Sequence, residues 1–186
     1  MKYLKWILII AVLPVMMVVV LYFVGGNFIK ETTVDVDLEH QGSDVVSADL
    51  NKQSPFFELA DLDGNTVKIS DFVGTPLVVV FWTTWNTASV DQIKIMDDYL
   101  SKDPSGSFKI IAIDSQEDKS IVAGFVKRGG YGIKILLDET GAVGDLYGAR
   151  NMPTTYFVDK QGVILDKYVG VLSEQMIQDK AEKIIR

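Results

Sequence analysis

Pro76-Leu77-Val78-Val79-Val80-Phe81-Trp82-Thr83-Thr84-Trp85-Asn86-Thr87-Ala88-Ser89 is the stretch whose reading decides the fold. Residues 76–82 form an apolar run rich in β-branched side chains, the pattern of a strand buried on both faces. A short polar turn follows. Residues 87–100 then carry Val90, Ile93, Met96 and Leu100 at helical spacing. Asn86 stands where this helix begins, and asparagine is among the best N-cap residues because its side-chain oxygen accepts a first-turn N–H.

The same alternation continues outward. Upstream, residues 56–60 and 66–69 read as a hairpin around Asp63-Gly64-Asn65. Downstream, residues 108–113 predict a second buried strand. Residues 120–127 predict a helix with Ile121, Val122, Phe125 and Val126 on one face, ended by Gly129. A short strand over 134–137 and a short helix over 142–147 come next. Residues 154–159 and 163–169 pair through Lys160-Gln161-Gly162. Ser173 caps a last helix that turns Met176, Ile177, Ala181 and Ile184 inward. This is an α/β plan with a mixed sheet flanked by helices. No internal repeat or low-complexity run is present.

The N-terminus predicts a membrane anchor. Residues 6–24 carry no charge over nineteen positions. As a helix they would span about 28 Å, near the roughly 30 Å hydrocarbon thickness of a bilayer. Lys2 and Lys5 precede the run, so the positive-inside rule places residues 1–5 in the cytoplasm and the rest of the chain outside it. A cleaved signal peptide is the alternative, but its apolar core usually runs only about 7–15 residues. Residues 25–53 read as an acidic tether, and residues 54–186 as one domain. Within the tether, Val34-Asp35-Val36-Asp37-Leu38 alternates and could pair as a strand.

Composition narrows the chemistry. The 186 residues carry a net charge of −7, which disfavours nucleic-acid phosphates. There is no cysteine, which removes structural disulfides, thiolate metal sites and thiol catalysis together. The single histidine, His40, falls in the tether, so no metal site and no cofactor are expected. Asp61-x-Asp63-Gly64-Asn65 lacks the bidentate glutamate of a calcium loop. Gly141-x-x-Gly144-x-x-x-Gly148 lacks the lysine and spacing of a phosphate loop. Asp97-Asp98, Asp114 with Glu117-Asp118, and Asp138-Glu139 read as solvated helix ends and strand exits.

Three blocks carry a family likeness. They are residues 54–72 around Ser54-Pro55-Phe56-Phe57-Glu58-Leu59, residues 74–89, and Leu146-Tyr147-Gly148-Ala149-Arg150-Asn151-Met152-Pro153-Thr154-Thr155-Tyr156-Phe157-Val158-Asp159. In this order they resemble the membrane-tethered TlpA/ResA-type proteins, thioredoxin-like members of the redoxin (AhpC/TSA) group. The resemblance implies a thioredoxin-like fold. It also implies that Asn86 and Ser89 occupy the positions of the family's two redox cysteines. It implies a cis peptide at Met152–Pro153, facing that pair, and a partner-contacting role for Trp85, whose alternative is an aromatic that simply covers the helix end; Trp82, last in the buried strand, reads as core. Val90 replaces the cation often found after the second cysteine, and no proline follows at residues 92–94.

The thiolate is the nucleophile of thiol–disulfide exchange, and it is missing. Ser89 does not replace it, because a serine nucleophile needs a base within reach and Lys94 faces elsewhere on the helix. The expected function is therefore a non-catalytic module. Trp85, Asn86, Ser89, Met152 and Pro153 would bind an extended segment of a partner protein. The alternatives are the family's thiol–disulfide oxidoreductase or peroxidase activity, and a structural subunit of a membrane complex.

Overall fold

The computed structural model describes residues 48–102 and 106–186. The predicted membrane segment 6–24 and the strand-like 34–38 lie outside the described residues. No helix among the described residues is long and apolar enough to cross a membrane.

Seven strands form one mixed sheet: β1 (Glu58–Asp61), β2 (Thr66–Lys68), β3 (Leu77–Trp82), β4 (Lys109–Ser115), β5 (Lys134–Asp138), β6 (Thr154–Val158) and β7 (Ile164–Val169). Their spatial order is β2-β1-β5-β4-β3-β6-β7. β3, β4 and β5 run parallel, and β1, β2, β6 and β7 join through antiparallel pairs. Among the described residues four α-helices flank them: α1 (Thr87–Lys102), α2 (Lys119–Gly129), α3 (Ala142–Tyr147) and, after β7, α4 (Glu174–Ile185). Every side chain of β3 is buried, as its unbroken apolar run requires of a central strand.

Strand periodicity divides the core in two. Val78, Val80 and Trp82 point to one face, where Ile93 and Met96 of α1, Val122 of α2 and Ile177, Ala181 and Ile184 of α4 cover them. Leu77, Val79 and Phe81 point to the other, against Phe57, Val143, Tyr147 and Tyr156. Full burial of each such aliphatic or aromatic side chain contributes about 1.5–3 kcal/mol.

Caps and turns follow the sequence with two corrections. Ser173 accepts the Met176 N–H at 3.3 Å, as expected. α2 closes on Gly130 rather than Gly129. Gly130 adopts φ +69°, and its N–H reaches the Val126 carbonyl. The left-handed conformation belongs to the residue after the helix, and here both candidates are glycine. Ile121 is exposed, not inward. At 3.6 residues per turn it stands at the rim of the arc that Val122 and Phe125 centre. Residues 48–53 lie against β7, where the Asn51 N–H donates to the Ile164 carbonyl at 2.8 Å and Gln53 bridges Val163.

On the second face, Phe57, Phe81, Tyr147 and Tyr156 form an aromatic cluster with ring centroids 5.1–6.1 Å apart. The Tyr147 hydroxyl donates to the Pro55 carbonyl at 2.9 Å and lies 2.6 Å from the Ser54 Oγ. The Tyr156 hydroxyl donates to the Tyr147 carbonyl. These bonds tie the first resemblance block to the third. Tyr147→Phe strands the buried Pro55 carbonyl and should cost about 1–3 kcal/mol. Urea unfolding followed by circular dichroism should show a lower midpoint with an unchanged slope. An unshifted midpoint would mean that the hydroxyl ties nothing together.

Candidate functional site

β3 delivers its last side chain, Trp82, into the core, where it lies 5.4 Å from the Phe125 ring. The chain then leaves the sheet through residues 83–86. Trp85 is 73 % exposed, so it covers no core surface of its own. Asn86 opens α1 by capping it. Its Oδ1 accepts the Ser89 N–H at 3.0 Å, and its carbonyl accepts the Val90 N–H at 3.0 Å. Ser89 is wholly buried, and its hydroxyl has no hydrogen-bond partner. Lys94 is exposed, away from it.

The Met152–Pro153 peptide is cis, as the resemblance implied. It enters β6, the antiparallel neighbour of β3. Trp85, Asn86 and Met152 thereby come together on one polar cleft of about 450 Å³. Ser89 and Pro153 are buried and stand outside its lining. The opposite wall comes from Ser115, Gln116, Gly141, Gly144, Asp145 and Arg150. The sequence reading missed this wall. Its Gln116 adopts φ +63°, and Gln116 Nε2 donates to the Thr140 carbonyl at 3.3 Å. Gly141 makes room for it, because a Cβ there would lie 2.2 Å from Gln116 Nε2. A separate apolar hollow of about 230 Å³, lined by Phe56, Phe72, Val73 and Leu77, shares no residue with the cleft.

The acidic residues need correcting. Asp114 and Asp138 are buried, not solvated. Strand alternation carries Asp114 onto the helix-covered face, in register with Trp82. Neither of its oxygens has a donor at normal distance and angle. Burial first, then the neighbouring Glu117 carboxyl and the charge of Asp138, push its carboxyl up from 3.8 to about 8. Folding thus favours the protonated form; that contribution is full below 3.8, declines as pH rises between 3.8 and about 8, and is gone above about 8. Asp138 is better served: its Oδ2 accepts the Gly144 N–H at 2.8 Å. Among the described residues no three histidine, aspartate or glutamate side chains are placed to hold a metal ion.

Asn86→Ala removes the α1 cap and should lower stability by about 1 kcal/mol, whereas Asn86→Ser, which keeps an oxygen acceptor, should lose much less. Paired urea titrations measure both. Equal losses in the two variants would show that the side-chain oxygen is not what stabilises the helix start.

With the geometry in place, comparison with known proteins gives one consistent answer. A model of the AhpC/TSA family matches residues 50–167. The thiol-disulfide oxidoreductase ResA of Bacillus thuringiensis subsp. konkukian (strain 97-27) is 26% identical over 136 residues, covering 73% of this chain and 79% of that protein. ResA of Bacillus subtilis (strain 168) is 29% identical over 126 residues, covering 68% and 70%. A thiol:disulfide interchange protein of the thioredoxin family from Chlorobium tepidum TLS superposes with a TM-score of 0.66 at 18% identity, covering 74% of this chain and 99% of that one. The pneumococcal exposed lipoprotein thioredoxin Etrx1 from Streptococcus pneumoniae strain TIGR4 gives 0.62 at 23% identity, covering 69% and 98%. The fold is thioredoxin-like, and this cysteine-free chain belongs to the AhpC/TSA family.

Proposed function

We propose that this protein is a membrane-anchored, extracytoplasmic binding module that holds an extended segment of a partner protein in the cleft beside Trp85, Asn86 and Met152. Buried Ser89 and Pro153 set the shape beneath it. One observation carries the reading: the two positions that the family resemblance assigns to cysteines perform structural tasks. The Asn86 side-chain oxygen is engaged in capping α1, and the Ser89 hydroxyl is shut away from any base. Exchange of a disulfide needs a thiolate, and this chain can form none. What remains is a polar cleft with a large exposed aromatic at its rim. Such a surface suits peptide capture, with main-chain hydrogen bonds for affinity and pockets for specificity.

The anchor rests on residues 6–24 and on Lys2 and Lys5 before them. An oxidoreductase or peroxidase role has family membership behind it, and fold alone does not fix function. A structural subunit assembled through the membrane segment is the third reading.

A photo-crosslinking amino acid placed at Thr87, exposed where α1 begins at the cleft, tests the proposal in native membranes. A control at Glu182 on exposed α4 surface accompanies it. The expected result is a discrete protein adduct from position 87 only, weakened at least severalfold by Trp85→Ala. An adduct that forms equally at both positions, or that Trp85→Ala leaves unchanged, contradicts cleft binding. Dithiothreitol-dependent disulfide reduction by the purified full-length protein would contradict the loss of catalysis.

A further inference from the structure

The apolar hollow and the polar cleft lie at opposite ends of β3. Leu77 begins the strand, lines the hollow and pairs with Val158, the last residue of β6. Trp85 and Asn86 line the cleft and follow Trp82, the strand's last residue. The length of a six-residue strand, on the order of 17 Å, separates the two. The described chain enters at the hollow end. There the Asn51 N–H donates to the Ile164 carbonyl and the Ser54 N–H to the Gly162 carbonyl, each at 2.8 Å. Ser54 and Gly162 themselves line the hollow. The Gly74 N–H donates to the Lys160 carbonyl at 2.8 Å, which ties the loop bearing Val73 to the same hairpin turn.

This end carries apolar surface that the domain's own core leaves uncovered. Phe56 is 62 % exposed and Val73 68 %, and both line the hollow with Ile69, Phe72, Leu77 and Val158. Apolar side chains scattered singly on a surface mean little, whereas a grouped set marks an interaction site. The one acidic residue of the lining, Asp159, spends its charge locally: its Oδ1 accepts the N–H groups of Gln161 and Val163, both at 2.9 Å. Lys52 and Lys160, each next in the chain to a lining residue, are exposed. A bilayer boundary accommodates this chemistry, with rings and aliphatic groups toward the acyl chains and ammonium groups beside the phosphates. The preceding sequence supplies the bilayer. Residues 6–24 are the uncharged run read as an anchor, and only residues 25–47 lie between it and Ala48. An anchor makes contact with lipid intramolecular, so a surface of modest affinity is enough.

We propose that the end of the domain bearing Phe56, Val73 and the apolar hollow docks on the phospholipid surface. The cleft, at the other end of β3, then opens toward the aqueous side, where a partner protein can reach it. The inference rests on the anchor reading above and does not depend on what the cleft binds.

The chain has no cysteine, so one introduced cysteine takes a nitroxide spin label without competition. Ser70→Cys places the label on an exposed residue of the hollow, and Thr87→Cys places the reference label beside the cleft. The full-length protein is reconstituted into vesicles of phosphatidylethanolamine and phosphatidylglycerol. Collisions with oxygen, which concentrates in lipid, and with a water-soluble nickel chelate report where each label sits. The oxygen-to-nickel ratio at position 70 should exceed that at position 87 at least severalfold. Val73→Asp and Phe56→Ser should each bring the ratio at position 70 down toward the reference and leave position 87 unchanged. Equal ratios in protein that resists carbonate extraction overturn the docking and leave the anchor standing. Release by carbonate overturns the anchor reading and the docking with it. A label at position 70 shielded from both reagents would mean that a second copy covers this face, and it contradicts docking on lipid. So does a raised ratio that Val73→Asp and Phe56→Ser both leave untouched. The comparison of the two labels keeps Phe56 and Val73 native, so it stands whether or not those variants fold.

Discussion

Six consecutive buried side chains in β3 constrain everything around them. A strand with water on neither face must be covered by helices on one side and by an aromatic layer on the other. It can end only where the chain meets solvent. That exit is the turn at residues 83–86, and the helix after it starts with four N–H groups lacking helical partners. The cleft therefore forms where backbone donors, an exposed tryptophan and the strand ends of a mixed sheet meet. Ligand sites of α/β sheets commonly occupy this position at the strand ends.

A helix start beneath a redox site would stabilise a thiolate, and here it stabilises itself. Asn86 lends its oxygen to the Ser89 N–H. On the proposed reading, with residues 86 and 89 at the family's two cysteine positions, the helix start is kept and the two reacting sulfurs are absent. The cis Met152–Pro153 peptide and the Trp85 rim remain in place around it. The family membership and the missing chemistry are thus compatible, since the fold is carried by β3, α1 and the aromatic tie between Tyr147, Ser54 and Pro55, none of which needs sulfur.

Much of this was legible in the sequence because the signals are local. The apolar run at 77–82, the helical spacing of Ile93 and Met96, and the caps at Asn86 and Ser173 each depend on near neighbours. The apolar run ends at Ile113, so local pattern alone places Asp114 at a solvated strand exit. The strand in fact runs to Ser115, and the alternation that buries Ile110 and Ala112 on the helix-covered face buries Asp114 there too. The far wall of the cleft was invisible for another reason. Gln116, Gly141 and Arg150 meet only because β4 and β5 pair in parallel, with Ser115 opposite Asp138. Nothing in their own spacing announces it. The buried carboxyl and the far wall are both consequences of tertiary pairing, where local pattern has least to say.

Residues 86 and 89 are proposed to occupy the geometry of a two-cysteine redox site whose reacting atoms have been replaced. Residues three apart at a helix start can meet the roughly 4.4–6.8 Å Cα separation of a disulfide. The direct measurement is mass spectrometry of the full-length protein carrying Asn86→Cys and Ser89→Cys under mild oxidant. The chain has no other cysteine, so any bond must join these two positions or two molecules. The expected result is an intramolecular disulfide in a domain that keeps its circular dichroism. Two free thiols in a folded domain would contradict it.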